Sequence, residues 1–380
     1  MKILSIETSC DDTSIAIIEG SGKKNPIFEI LSNIISSQID IHKEWGGVVP
    51  MLAKREHQKN LLPVLKKALK KANLLEKSNK EIKLDNKVLD KILEKEEEQK
   101  EILKDFLKNY KKPKVDAIAI TVGPGLEPCL WAGINFTKTL AQTWKIDLIP
   151  VNHIEGHIYS SLVENKEKMS FPAIALIVSG GHTQIILIKE LGKYKLIGET
   201  RDDAAGECFD KVAKILGLEY PGGPIISEKA DLCKNTLNIQ LPRPMVSQQN
   251  YEFSFSGLKT AVLYLVRDIS KNKKLTETQI RAVSKETQQA VIDVLIKKTK
   301  KAIRVYEAQS FILGGGVSAN KELRKQFKES LKDSQVKIFF PGKNLSTDNA
   351  VMTGAAAYSN FQEGKIKTWK QIKPNANLRL

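Results

Sequence analysis

One local pattern occurs twice in this chain, and the repetition constrains the fold more than any other feature. Residues 2–7 alternate apolar and polar, 8–14 are small or acidic apart from Cys10, and 15–18 are apolar again, giving strand, polar turn, strand. The same order returns at 173–178, at Ser179-Gly180-Gly181-His182-Thr183 and at 184–188. Two such hairpins, each followed by alternating helices and strands, predict two related α/β domains.

The segments between and after the hairpins fit that plan. Apolar runs at 115–122 and 146–151 read as strands around a helix at 130–144, in β-α-β order. Helices are expected at 207–216, 257–269 and 277–306, then a strand at 310–313, a helix at 320–331, a strand at 336–340 and a closing helix at 350–361. Doubly wound α/β sheets result. The rhythm breaks at about 75–112, a stretch dense in Lys and Glu whose apolar positions (Leu89, Ile92, Leu93; Leu103, Phe106, Leu107) recur at helical spacing. It is expected to be an inserted helix or helical hairpin with a solvated charged face, dispensable for chemistry.

With 380 residues, 41% of them hydrophobic and 27% charged, the chain has material for two cores and is not expected to be disordered. Cys10, Cys129, Cys208 and Cys233 lie far apart with no CxxC pair, which suits neither a disulfide framework nor a cysteine-ligated zinc site and points to a reducing cytoplasm. Glu7, Asp11 and Asp12 interrupt the amino-terminal apolar stretch, and no run approaches the ~20 apolar residues of a membrane span. A soluble protein without a membrane partner is expected. The net charge of +16 favours polyanionic partners, nucleic acid first, with an organism-wide lysine bias as the alternative. Residues 73–114 hold twelve Lys and ten Asp plus Glu, so nearly all of the surplus lies elsewhere.

His153 and His157 stand four apart, so on a helix both imidazoles project from one face within reach of one metal ion, unless they are ordinary surface polarity. Their sequence, H-I-E-G-H, is not the zincin H-E-x-x-H, because Glu155 points away from the shared face. No G-x-x-x-x-G-K-[ST] occurs, which excludes a P-loop. Gly314-Gly315-Gly316-Val317-Ser318-Ala319 fits G-x-G-x-x-A, but the following strand ends at Pro341 without a ribose-binding acid. Backbone N–H groups in such turns, and in Ser179-Gly180-Gly181, can still hold phosphate.

The whole set of motifs, in order, resembles one family. It comprises Glu7-Thr8-Ser9-Cys10-Asp11-Asp12-Thr13, Gly46-Gly47-Val48-Val49-Pro50, Gly123-Pro124-Gly125-Leu126, His153-x-x-x-His157 and Val178-Ser179-Gly180-Gly181-His182-Thr183-Gln184. It continues through Asp202-Asp203-Ala204-Ala205-Gly206-Glu207, Phe209-Asp210-Lys211, Tyr220-Pro221-Gly222-Gly223-Pro224, Phe253-Ser254-Phe255-Ser256-Gly257, Gly314-Gly315-Gly316 and Ser346-Thr347-Asp348-Asn349-Ala350. The chain is thereby similar to the universal tRNA N6-adenosine threonylcarbamoyltransferases of bacterial TsaD type, once called glycoproteases. Local departures are Trp45 for the usual Tyr, Met51 for the usual Glu, and Glu127-Pro128-Cys129.

The resemblance implies the actin, hexokinase and heat-shock-chaperone (ASKHA) superfold, two related domains around a nucleotide cleft. Residues 1–150 with about 358–380 would form the N-terminal subdomain, interrupted by the insertion at about 75–112, and 151–357 the C-terminal one with most of the metal and nucleotide site. It implies Asp348 as a third ligand beside His153 and His157, holding one divalent ion. Iron(II) is the family's expectation, whereas two imidazoles and a carboxylate also suit zinc. The implied reaction moves the threonylcarbamoyl group of threonylcarbamoyl-AMP to N6 of adenosine 37 in tRNAs that read codons beginning with adenine. Ile177, Val178, Ser179, Gly180 and Gly181 would line the phosphate and acyl region, Asp210 and Gly223 the ribose, and Asn320 the adenine side. Asp11 is the candidate for proton handling or positioning. Implied partners are a threonylcarbamoyl-AMP synthase and TsaB-type and TsaE-type subunits. A small-molecule kinase or ATPase of the same superfold, and a non-catalytic scaffold subunit, are the rival readings; neither needs the metal ligands.

Overall fold

In a computed structural model that describes residues 1–23, 26–165, 167–235, 237–270 and 273–380, the chain forms two compact units. The first comprises 1–40, 48–164 and 348–380, and the second 41–47 and 165–347. Helix α1 (Ile39–Lys43) lies where the chain first passes from one to the other.

The first unit holds β1 (Lys2–Glu7), β2 (Asp12–Ser21), β3 (Ile27–Ser37), α2 (Pro50–Lys71), α3 (Asn86–Ile92), α4 (Glu97–Asn109), β4 (Ala117–Gly123), α5 (Glu127–Trp144), β5 (Leu148–Asn152) and α6 (His153–Ser160). In the second come β6 (Ala173–Val178), β7 (Thr183–Glu190), β8 (Lys193–Glu199), α7 (Ala205–Ile215), α8 (Gly222–Asp231), α9 (Ser256–Ser270), α10 (Glu277–Val305), β9 (Ser310–Gly314), α11 (Lys321–Leu331) and β10 (Lys337–Phe339). The chain then returns to the first unit with α12 (Ala350–Gln362).

Both sheets have one topology. The first runs β3-β2-β1-β4-β5, the second β8-β7-β6-β9-β10, each with an antiparallel meander of three strands and two parallel additions. The hairpin read from the sequence therefore gains a third strand, β3 or β8, before any helix. Pairing Ile3 with Ile18, Leu4 with Ile17 and Ile6 with Ile15 keeps β1 and β2 in register, and the central strands are buried on both faces, as their continuous apolar runs require. Helix α12 lies close on β1 and β2 because its middle is small: a Cβ on Gly354 would come 2.9 Å from both Ile18 and the Ser5 hydroxyl.

The boundaries differ from those expected at 150 and about 358, because α6 packs on α12. Glu155 accepts a hydrogen bond from Asn360 at 3.1 Å, and Gly156 abuts Met352. All of α6 and α12 thus belongs to the first unit.

The stretch at 75–112 is helical where its pattern requires, but its apolar side is not a free stripe. Leu89, Leu93, Leu103, Phe106 and Leu107 are fully buried in the core of the first unit with Leu61, Leu65 and Leu130. Buried Glu96 accepts from Asn135 on α5 at 3.1 Å, hydrogen-bonds Gln58 on α2, and pairs with Lys54 at 3.5 Å. The segment is therefore built into the fold rather than laid on it: without it α2 and α5 would lose a core face and a buried acid its partners.

Candidate functional site

The first unit brings His153, His157 and Asp348 together from two helices. Asn152 caps α6, its Oδ1 accepting from Ile154 N at 2.8 Å and Glu155 N at 3.4 Å, so His153 begins the helix and His157 follows one turn later. Asn349 caps α12 in the same way, accepting from Met352 N at 3.0 Å. Ser5 donates to Ala350 O at 2.6 Å and Ser14 accepts from Ala350 N at 2.8 Å, which fixes Asp348 just outside the helix start.

Asp348 Oδ1 lies 3.3 Å from His157 Nε2 and 3.7 Å from His153 Nε2, and one ligand atom from each of the three residues falls within 4.8 Å of the others. Ligands about 2.0–2.2 Å from a shared ion stand roughly 3–3.6 Å apart, so the two imidazole–carboxylate distances are near those of a site for a single cation. Among the described residues the buried His157 Nδ1 has no hydrogen-bond partner, and Nε2 has only the Asp348 carboxylate before it. A fully buried imidazole whose polar surroundings are a lone carboxylate fits a metal ligand. Glu155 is turned away to Asn360, as the H-I-E-G-H spacing indicates.

The other face of His153 has no counterpart in the sequence pattern. Its Nδ1 lies 3.1 Å from Ser9 Oγ and 3.5 Å from Glu7 Oε2. Buried Glu7 in turn accepts from Ser9 N at 2.7 Å, from Thr121 and from Thr353 at 3.1 Å. Burial alone would lower His153, but the charges of Asp348 and Glu7 outweigh it and the ring is pushed up to about 9. Burial would likewise raise Glu7, but the His153 charge holds it below the usual carboxylate range. His157 is held below the ordinary imidazole range by burial, against the pull of Asp348. An imidazole fixed on its Nδ1 side leaves Nε2 for a cation.

Asp11 stands in the β1–β2 turn beside Cys10, whose thiol burial pushes well up. His57, fully buried on α2, holds that turn: its Nε2 is 2.9 Å from Cys10 O and its Nδ1 2.8 Å from Thr13 Oγ1.

The expected substrate-binding residues lie in the second unit. Ile177 and Val178 end β6, fully buried. The following turn closes by Ser179 N donating to His182 O at 2.8 Å, while Ser179 O accepts from Gly206 N at the start of α7 at 3.2 Å. A Cβ on Gly180 or Gly181 would have nothing within 4 Å, whereas Gly206 and Gly315 press on this turn, their Cβ positions 2.6 Å from Ser179 O and 2.4 Å from Val178 O. Asp210 on α7 accepts from Gly222 N at 2.7 Å, which places Gly223 at the start of α8. Asn320 caps α11 through Leu323 N at 2.9 Å and donates to Gln288 at 2.7 Å. Its side chain is thus already engaged, so it supports folding as well as any ligand.

Two mixed α/β sheets of one repeated topology define the ASKHA superfold, and a crystal structure of full-length HypF in a phosphate- and nucleotide-bound form shares the fold, with a TM-score of 0.51 and 13% identity over 95% of this chain and 46% of that one. The profile described as TsaD, tRNA N6-adenosine threonylcarbamoyltransferase, matches residues 29–82 and 97–355. A tRNA N6-adenosine threonylcarbamoyltransferase of Persephonella marina is 40% identical over 383 residues, covering 100% of this chain and 96% of its own. The protein of that name from Bacillus subtilis is 40% identical over 366 residues, 96% of this chain and 92% of its own. The chain belongs to the TsaD family. Residues 83–96, with α3, fall between the two matched stretches, whereas α4 lies within the second.

Proposed function

We propose that this chain transfers the threonylcarbamoyl group of threonylcarbamoyl-AMP to N6 of adenosine 37 in tRNAs that read codons beginning with adenine. The observation that carries this is the assembled His153, His157 and Asp348 triad in a chain of this family. A phosphotransferase of the same superfold has no use for two buried imidazoles, and a scaffold subunit has none either.

His153, His157 and Asp348 would hold one divalent ion, iron(II) in our reading, with zinc as the competitor that the same donor set accepts. When bound, such an ion supplies a Lewis acid and a template for anionic oxygens of the substrate. Glu7 and Ser9 keep the His153 ring oriented, and the Asn349 cap keeps Asp348 in place. In the transfer, the adenosine amino group attacks the carbamoyl carbonyl carbon, the bond to the phosphate oxygen breaks, AMP leaves, and the amino group gives up a proton. Asp11 is the residue assigned to position or accept that proton. An acyl phosphate anhydride is already activated, so the chain's main task is orientation.

On this reading Ile177, Val178, Ser179, Gly180 and Gly181 receive the phosphate and acyl groups, Asp210 and Gly223 the ribose, and Asn320 the adenine side. The open space at Gly180 and Gly181, with their backbone N–H groups, supports the phosphate assignment. TsaB-type and TsaE-type subunits, an upstream threonylcarbamoyl-AMP synthase and a cytoplasmic location complete the proposal. Among the described residues, no helix is long and apolar enough to cross a membrane.

The test is to supply the purified chain, with and without such subunits, with threonylcarbamoyl-AMP and unmodified tRNA and to analyse the nucleosides by mass spectrometry. Threonylcarbamoyladenosine at position 37 is expected. Its absence under every combination would refute the reading.

A further inference from the structure

The last segment of the first unit, residues 364–380, carries Lys365, Lys367, Lys370, Lys373 and Arg379 and no acidic side chain. It is held as a strap along its length. Lys367 exchanges backbone hydrogen bonds with Leu148 on β5, Ile372 is buried in the core, and Asn375 N donates to Val122 O at 2.8 Å while Ala376 O accepts from Gly125 N at 3.2 Å. Only glycine permits so close an approach: a Cβ on Gly123, at φ 144°, would fall 1.9 Å from Asn375 O.

That anchoring connects the strap to the metal centre within one unit. Gly125 packs on Ser9, with its Cβ position 2.5 Å from Ser9 O, Leu126 N donates to the same oxygen at 2.8 Å, and Ser9 Oγ is 3.1 Å from His153 Nδ1. The strap's cations meanwhile face solvent. Lys367, Lys370 and Lys373 are exposed and join no ion pair among the described residues, whereas Lys365 pairs with Glu363 at 2.8 Å. Lys370 lies over the Trp369 ring at 5.6 Å, and Lys145 adds its charge to the same surface hollow, where Asp147 is the one acid among the described lining residues. Lys138 on α5, over Trp131, is held below the usual lysine range by burial and further by nearby Lys373, so like charges crowd here. Cations and aromatic rings on an ordered backbone suit a polyanion with stacking bases.

We infer that this strap is a docking surface for the phosphate backbone of the tRNA, laid so that the target adenosine reaches the centre around His153. The inference rests on the function proposed above, and the competing occupant is an acidic face of a protein subunit.

The experiment compares the active assembly carrying wild-type chain with one carrying Lys367→Gln, Lys370→Gln and Lys373→Gln together, and with the matching Lys→Arg triple. Affinity for unmodified tRNA is measured by filter binding at several salt concentrations. Each phosphate left without its cation should reduce the slope of log affinity against log salt by about 0.7–0.9, so the Gln triple should lose roughly two to three units of slope and at least tenfold in affinity. KM for tRNA should rise with kcat at saturation unchanged, AMP affinity should be unaltered, and the Arg triple should match wild type. Unchanged tRNA affinity and slope in the Gln triple overturns the inference, and so does a defect confined to assembly with a protein subunit. Loss of binding in the Arg triple also overturns it, since charge would not be the cause. A wild-type assembly that fails to modify tRNA condemns the proposed function instead.

Discussion

The turn that follows the leading strand carries Ser9, Asp11 and Asp12 in the first unit, and Ser179, Gly180 and Gly181 at the equivalent place in the second. One sheet topology therefore supports two kinds of site. In the first unit, side chains from β1, β4, α6 and α12 meet in a buried network of Glu7, Thr121, His153, His157 and Thr353, with half-buried Asp348 reaching it from just before α12. In the second, glycines let backbone come close to backbone, and the polar surface offered to a ligand is largely N–H. The difference teaches that the duplicated fold supplies positions, while the residue types at the turn decide whether a cation or an anion is served.

Removing one ligand should have the largest effect. His157→Ala and Asp348→Ala are each expected to lower metal affinity more than about 100-fold, beyond the 10–100-fold usual for supporting partners, with the second unit's AMP affinity unchanged. Elemental analysis after dialysis checks this, and stoichiometric metal in both variants would contradict the triad.

The segment at 75–112 comes next. Phe106→Ala should destabilise the first unit by about 3–5 kcal/mol, since Phe106 is 1% exposed within its core. Denaturant unfolding measures it; a loss below about 1 kcal/mol would restore the view that the segment is peripheral.

Asp12 gives a pH signature. Burial pushes its carboxyl up to about 7, Asp348 and Asp11 adding to the effect against a hydrogen bond to Ser37, and its Oδ1 has no hydrogen-bond partner among the described residues. With a folded pKa above the unfolded 3.8, its contribution is fully present below about pH 4 and is lost as pH rises through 7. Asp12→Asn should therefore stabilise the protein at pH 8 by on the order of 2–4 kcal/mol and by little at pH 4. Equal effects at both pH values would place this carboxylate in water.

The smallest effects separate the glycines of the second unit. A Cβ on Gly222 would lie 2.5 Å from that of Ala213, so Gly222→Ala should cost about 1–3 kcal/mol. Gly180→Ala, with open space around it, should leave unfolding within about 0.5 kcal/mol of wild type while weakening AMP binding. Calorimetric AMP titration distinguishes the two, and unchanged affinity in Gly180→Ala would remove this turn from the phosphate site.

Much of this is legible in the sequence because it is periodic. The two hairpins, the parallel strands and the amphipathic side of 89–107 follow from apolar spacing, and His153 with His157 from the helical four-residue step. The strands β3 and β8 escape because an edge strand with partly exposed faces has no continuous apolar run. Asp348 is reachable only through family resemblance, since no spacing rule joins the start of α12 to α6. Glu7 stands in the first family motif but nothing there assigns it a role, and Thr121 and Thr353 give no signal: a carboxylate at a strand end and two threonines become a network only when three elements converge. Asn320 shows the opposite case, a residue assigned to ligand binding whose side chain the fold already uses as a cap.

The most direct test of metal-assisted transfer loads the wild-type chain and Asp348→Ala with iron(II), measures bound metal, and follows threonylcarbamoyladenosine formation in unmodified tRNA by mass spectrometry. Wild type should hold one ion per chain and form the modified nucleoside, while Asp348→Ala should hold less than about a tenth of that metal and form almost none. Full transfer by a metal-free Asp348→Ala chain would contradict the assignment.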